Sequence, residues 1–210
     1  MKNSSIRFVS LSIFALSILV GCLGKTPTQQ SSLQTMTPPY LHYVSPENSK
    51  AYIEFDYPSS WIFTEKSEHG MTTIILHDPR FSTFPTMPAD AHDPPPTDIG
   101  SVIILIQPLD SEETFTYHVS QFRNNRNSLN YLTLLSEYQI VIDGYNATVF
   151  ENENSFGQIY TTTMFQENIL FSVKNNMYTI IFTIAKSMRG SEFEKGFDYF
   201  FNSLQIRTQP

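Results

Sequence analysis

A single cysteine, Cys22, stands in a chain of 210 residues. That excludes an internal disulfide and every zinc motif built on several cysteines. Basic residues are scarce as well: 13 Lys and Arg face 20 Asp and Glu, for a net charge of −7. A nucleic-acid binder needs clustered cations for its phosphate contacts, and this balance argues against one. The 8 glycines are scattered. They form no phosphate-cradling loop, and neither a Gly-x-Ser-x-Gly elbow nor a His-Glu-x-x-His helix occurs. Charged residues make up only 16% of the chain. Aromatic residues are abundant: 17 Phe and 11 Tyr sit within an apolar fraction of 40%. This composition excludes a largely disordered chain, and the length suits one globular domain plus an extension.

The amino terminus reads as an address. Lys2 and Arg7 precede an apolar run from Phe8 to Val20, which ends at Gly21 and Cys22. As a helix rising ~1.5 Å per residue the run spans roughly 20 Å, short of the ~30 Å hydrocarbon core. It fits a secretory signal with a small-residue cleavage site better than a membrane span. Leu19-Val20-Gly21-Cys22 resembles the bacterial lipobox, in which the cysteine thiol receives a diacylglyceryl group. Cleavage between Gly21 and Cys22 then makes that cysteine the first residue. The resemblance implies a signal peptide over 1–21 and a lipidated Cys22, with the protein on the extracytoplasmic face of a cell membrane. In a host with two membranes the outer one is an alternative. Loss of Lys2 and Arg7 with the signal makes the net charge two units more negative, so the acyl chains rather than basic residues would hold the bilayer.

Residues 22–44 read as a tether. They are polar, punctuated by proline and nearly free of charge. Such a segment buries too little apolar surface to fold. From Tyr52 the pattern changes: Ile53, Phe55 and Tyr57 alternate with Glu54 and Asp56, as in a half-buried strand. Thr72–His77 predicts another strand, and the unbroken apolar run Val102–Ile106 a central one. Tyr138–Ile142, Asp143-Gly144 and Tyr145–Phe150 predict a hairpin with a two-residue primed turn. Strands over 159–166, 169–173 and 178–184 follow, with a turn at Asn175-Asn176.

Two helices are expected. Asp110 and Glu113 form a candidate capping box before the stripe Phe115, Val119, Phe122, with an end in the Asn-rich run from Asn124. Ser191 and Glu194 form a second box, leading Phe193, Phe197, Phe200, Phe201 and Leu204 along one face. That Phe-rich stripe reads as core packing, with a ligand pocket between sheet and helix as the alternative. Trp61 reads as core, anchored against a helix. The order of elements gives an α+β class with a largely antiparallel sheet.

Several short motifs fall in one order: Phe55-Asp56-Tyr57-Pro58-Ser59-Ser60-Trp61, Asp78-Pro79, Pro108-Leu109-Asp110-Ser111, Asp143-Gly144 and the late Phe-rich helix. Over roughly 45–207 this order resembles the PsbP-like family. The resemblance implies an α-β-α sandwich around an antiparallel sheet. It also implies a binding surface rather than a reaction, since the family includes extrinsic photosystem subunits, bacterial lipoproteins and relatives that bind a small GTPase.

The stretch 77–98 stands out for its prolines and for His77, Asp78, Asp90, His92, Asp93 and Asp98. Imidazole and carboxylate are suitable zinc ligands, so His77, Asp78, His92 and Asp93 are candidate metal ligands. Phe81 and Phe84 in the same stretch either protrude to meet a partner or fold back over a sheet edge. His42, His69 and His118 read as surface or helix-face residues. The resulting expectation is a lipid-anchored binding or accessory protein of a membrane complex or envelope component. It would use no cofactor, catalyse nothing and bind no nucleic acid. The alternatives are a small-ligand carrier and a metal-dependent hydrolase built on 77–98.

Overall fold

The chain forms ten strands among the described residues, and all their pairings are antiparallel. The computed structural model describes residues 39–46, 52–81, 99–128, 132–155 and 163–207. A small sheet holds β1 (Tyr40–Val44), β2 (Ile53–Pro58) and β10 (Gln205–Ile206) in the order β1-β2-β10. A large sheet holds β3 (Ile62–Glu68), β4 (Met71–His77), β5 (Gly100–Pro108), β6 (Leu132–Ile142), β7 (Tyr145–Ser155), β8 (Thr163–Val173) and β9 (Asn176–Ala185). Its order is β3-β4-β5-β9-β8-β7-β6. Two helices, α1 (Glu112–Ser128) and α2 (Glu192–Ser203), complete the described elements.

The main core is laid down by period-two alternation. Ile74 and Leu76, Val102, Ile104 and Ile106, Ile180, Phe182 and Ile184, and Ile169 and Phe171 share one face of the large sheet. Against it lie Ile53 and Phe55 of β2 and Phe193, Phe197 and Phe200 of α2. The intervening residues point the other way. There Phe150 and Leu170 meet Val119, with Phe115, Phe122 and Leu134 around them.

The expected hairpin is present, and Asp143 and Gly144 have φ of 46° and 87°. Positive φ at both central positions is the primed turn whose twist matches the flanking strands. Ser191 caps the second helix as expected, its Oγ accepting from Glu194 N at 3.5 Å, while the Glu194 carboxylate reaches back to accept from Gly190 N, one residue before the cap.

Other expectations shift. The first helix is capped by Ser111 rather than Asp110, with Ser111 Oγ accepting from Thr114 N at 3.2 Å. It runs past Asn124 to Ser128 because asparagines in an exposed helix disfavour it only weakly. β8 is one strand through Glu167 and Asn168, since both ladder partners continue unbroken beside it. The following turn is centred on Lys174 and Asn175, one residue early. Two strands lack a sequence signal. β1 falls inside the span read as tether, and β3 has an almost wholly exposed pattern without apolar alternation. The expected strand residues 159–162 lie outside the described ones.

Candidate functional site

Beyond α2 the main-core face of the large sheet turns from apolar to acidic. Glu151 of β7 and Glu167 of β8 are direct register partners. Like charges in that position repel. Ser136 Oγ donates to Glu151 Oε2 at 2.6 Å, and the Tyr138 hydroxyl donates to Glu151 Oε1 at 3.4 Å. α2 adds Glu194 and Asp198 from the other side, and the turn before it adds Arg189.

The electrostatics follow from this crowding. Burial, then the charge of Glu151, pushes the Glu167 carboxyl up to about 7, with Asp198 and Glu194 adding to it and Arg189 opposing. Burial, then Glu194, also raises Asp198. The Tyr138 hydroxyl is pushed up to about 12 by burial and by Glu167 and Glu151. The cations nearby are already paired, Arg189 with a member of the patch itself. Arg189 Nε donates to Glu194 Oε1 at 2.7 Å with its guanidinium 4.0 Å from the Phe165 ring centroid, and Lys186 Nζ pairs with Glu153 Oε1 at 2.6 Å. The patch thus has a carboxylate excess bordered by exposed Tyr138, and it can accept a cationic group. Sequence reading missed it because its members are spread over three strands and a helix, with no local motif.

The 77–98 stretch is described only as far as Phe81. Asp78 is 1% exposed, and its carboxylate accepts from Arg80 N at 3.0 Å and from the Arg80 guanidinium at 2.5–3.0 Å. Those bonds hold its pKa below the usual carboxylate range. Asp78 therefore closes a turn, and its oxygens are spent on Arg80. His77 is half-buried at the end of β4, with Nδ1 3.4 Å from the Asp78 carbonyl. Among the described residues no group of three or more His, Cys, Asp or Glu is arranged to hold a metal. Phe81 folds back, edge-on to Phe193 at 5.8 Å between centroids. His92, Asp93, Phe84, Gly21 and Cys22 lie outside the described residues.

The region under the Phe-rich helix is filled. Phe197 stacks on Phe182 at 4.1 Å, Phe193 on Trp61 at 4.7 Å, and Phe200 meets Phe55 edge-on at 4.9 Å. These rings occupy the place of the expected carrier pocket. A further cluster had no sequence signal. His42 Nδ1 lies 2.7 Å from Asp56 Oδ1, and the buried Glu54 pairs with Arg207, tying β1 and the end of β10 to β2.

Strand order, antiparallel pairing and the two helices can be compared with known proteins. The solution structure of cyanobacterial PsbP (CyanoP) from Synechocystis sp. PCC 6803 matches 83% of this chain and 96% of its own, at TM-score 0.53 and 11% identity. The chain has a PsbP-like fold. At such identity the PsbP likeness concerns fold alone. Two weaker similarities are to the Saccharomyces cerevisiae Ran-binding protein Mog1p and to LpqN, involved in cell envelope biogenesis of Mycobacterium tuberculosis. Mog1p has 11% identity and TM-score 0.45, with 80% of this chain and 95% of that one covered. LpqN has 14% identity and TM-score 0.44, with 80% and 92% covered. Both fall below 0.5 and add nothing to the PsbP-like assignment. No protein-family model matches the chain, and no curated protein does.

Proposed function

We propose that this protein is a lipid-anchored extracytoplasmic accessory protein that docks on a membrane complex or envelope component and catalyses no reaction. The observation that carries this reading is Leu19-Val20-Gly21-Cys22, with the chain's single cysteine at the position a lipobox requires. An exported thiol without a partner is otherwise a liability. Two or more acyl chains anchor durably, since each buried CH₂ contributes ~0.8 kcal/mol. Confinement to the bilayer raises the effective concentration of the domain at membrane partners.

The PsbP-like fold supports an accessory role, with α1 and α2 read as the outer layers of an α-β-α sandwich. The acidic patch of Glu151, Glu167, Glu194 and Asp198 is the surface best suited to docking, and its charge calls for a cationic segment on the partner. The experiment is metabolic lipid labelling of wild type and Cys22→Ser in a bacterial host, followed by mild-detergent purification from membranes. Labelled, processed wild type and an unlabelled, unprocessed Cys22→Ser precursor are expected. Normal labelling of Cys22→Ser would sink the anchor.

A further inference from the structure

The acidic patch reaches one edge of the large sheet. β6 is the last strand there, hydrogen-bonded among the described residues to β7 alone. Its ladder runs unbroken from Ser136 to Ile142, after a shift of register between Leu134 and Ser136. The two-residue primed turn that follows closes on a hydrogen-bonded pair, here Ile142 and Tyr145. Pairs alternate along an antiparallel ladder, so Glu137, Gln139 and Val141 turn their N–H and C=O away from β7. Such edges are usually blunted by charge, proline or cover. The sheet's other edge, β3, carries Glu65, Lys66 and Glu68. β6 carries only Glu137, and Arg123 of α1 takes both of its oxygens, at 2.8 and 2.5 Å. Leu135, Tyr138 and Val141 are exposed along it, Val141 by 66%.

Ser136, Tyr138 and Ile140 lie on the main-core face of this edge, beside Glu151, Val149 and Ala147. Ser136 and Tyr138 both donate to Glu151, at 2.6 and 3.4 Å, and so draw its carboxylate over β6 towards the edge. A carboxylate offers about four acceptor positions, so two donors leave it with capacity for a cation. Glu167 stands directly behind Glu151 across the next ladder. The opposite face of the same edge holds Val141 and the Glu137–Arg123 pair. One face of the edge is therefore acidic, and the other is apolar with its charge already paired.

We propose that the outer edge of β6, over Ser136–Ile142, binds an extended cationic segment of a partner protein as an added strand. The segment's backbone bonds the outward groups of Glu137, Gln139 and Val141, and its side chains alternate between the two faces. Lys or Arg lies on the main-core face. Opposite Ser136 such a side chain passes over that small residue to Glu151, and opposite Tyr138 it lies against the ring. Apolar residues lie on the other face, against Val141. A second copy of this chain fits the edge less well. Pairing β6 with β6 sets two acidic patches on the same side of one sheet, where like charges repel. This mode of docking rests on the acidic patch being the docking surface, and adds to it the backbone edge and the alternation of the segment.

The test is hydrogen exchange of the full chain in mild detergent, read at single amides, with two synthetic peptides. Both have roughly eight residues, to match the Ser136–Ile142 ladder. One alternates Lys and Val; the other has the same composition with its lysines in one block. The alternating peptide is expected to bind roughly tenfold more tightly, since only it sets every lysine on one face. It is also expected to slow exchange at the amides of Glu137, Gln139 and Val141 by roughly tenfold or more. Val141→Pro removes an N–H that faces away from β7, a change edge strands accept, and is expected to weaken that peptide roughly tenfold. Should Val141→Pro fail to fold, the wild-type amides decide. Binding without slowed exchange at those three amides, or equal binding of both peptides, would overturn strand addition and leave the acidic patch as the docking surface. Absence of binding by either peptide, or binding unchanged in Glu151→Gln/Glu167→Gln, would overturn both. Slowing that rises with protein concentration in the absence of peptide would assign the edge to a second copy and overturn the proposal.

Discussion

Glu167 is held by its neighbours in a state that a solvent-exposed glutamate does not share. Its ordinary pKa is near 4.5, and in the fold it is pushed up to about 7 by burial and by Glu151 across the ladder. A carboxyl whose folded pKa is raised binds more protons folded than unfolded, so stability falls as pH rises through that window. Glu167 therefore favours the fold below about pH 4.5 and opposes it above about pH 7. Glu167→Gln is expected to unfold at a higher temperature than wild type at pH 8, with the advantage shrinking towards pH 5. Thermal unfolding of both proteins at the two pH values checks this; an advantage independent of pH would mean that Glu167 does not titrate as described. Asp78 and Glu137 act in the opposite sense, since their arginine partners lower their pKa values and the stability they add is lost as pH falls.

The helix α2 shows how an element is fixed from two sides. Its start was legible because a capping box is a local pattern, and its buried face because Phe193, Phe197 and Phe200 recur at helical spacing. Gly196 was not legible in the same way. A Cβ there would come within 2.7 Å of Trp61 Cζ2 and 3.1 Å of Pro58 Cγ. The glycine is the gap into which the Trp61 edge fits, joining the turn after β2 to α2. Alanine is the better helix former by roughly 0.5–1 kcal/mol, yet overpacking costs about 1–3 kcal/mol. Gly196→Ala is accordingly expected to lower stability in a denaturant titration. Ser191→Ala, which removes a cap, is expected to cost about 1 kcal/mol. A stabilised Gly196→Ala would show that the Trp61 ring is free to move aside.

For the whole molecule, the acidic patch and the anchor make one joint claim about docking. If a cationic segment sits against Glu151 and Glu167, Coulomb attraction carries much of the encounter and salt screens it over ~8–10 Å. A partner retained on wild-type membranes at low salt is expected to be lost at high salt, and lost at low salt from Glu151→Gln/Glu167→Gln. Mild-detergent purification with mass spectrometry reads this directly. Equal recovery with the double variant would remove the patch from the docking account and leave the anchor claim intact.

The sequence by itself determined what depends on neighbours along the chain. The hairpin turn at Asp143-Gly144, the Ser191 cap, the core alternation in β2, the unbroken apolar run of β5 and the Phe stripe of α2 are all set by residues within a few positions of one another. The signal-like amino terminus with Cys22 is local in the same sense. Only the tertiary structure decided what depends on strands far apart in sequence. β1 and β3 form because partners are present, although their own patterns are mostly exposed. The Glu151–Glu167 pair exists only once the register of β7 and β8 is set. Hydrogen bonding across a sheet places side chains about 5 Å apart whatever their separation in the chain. Chemistry assembled that way leaves no spacing to read in the sequence.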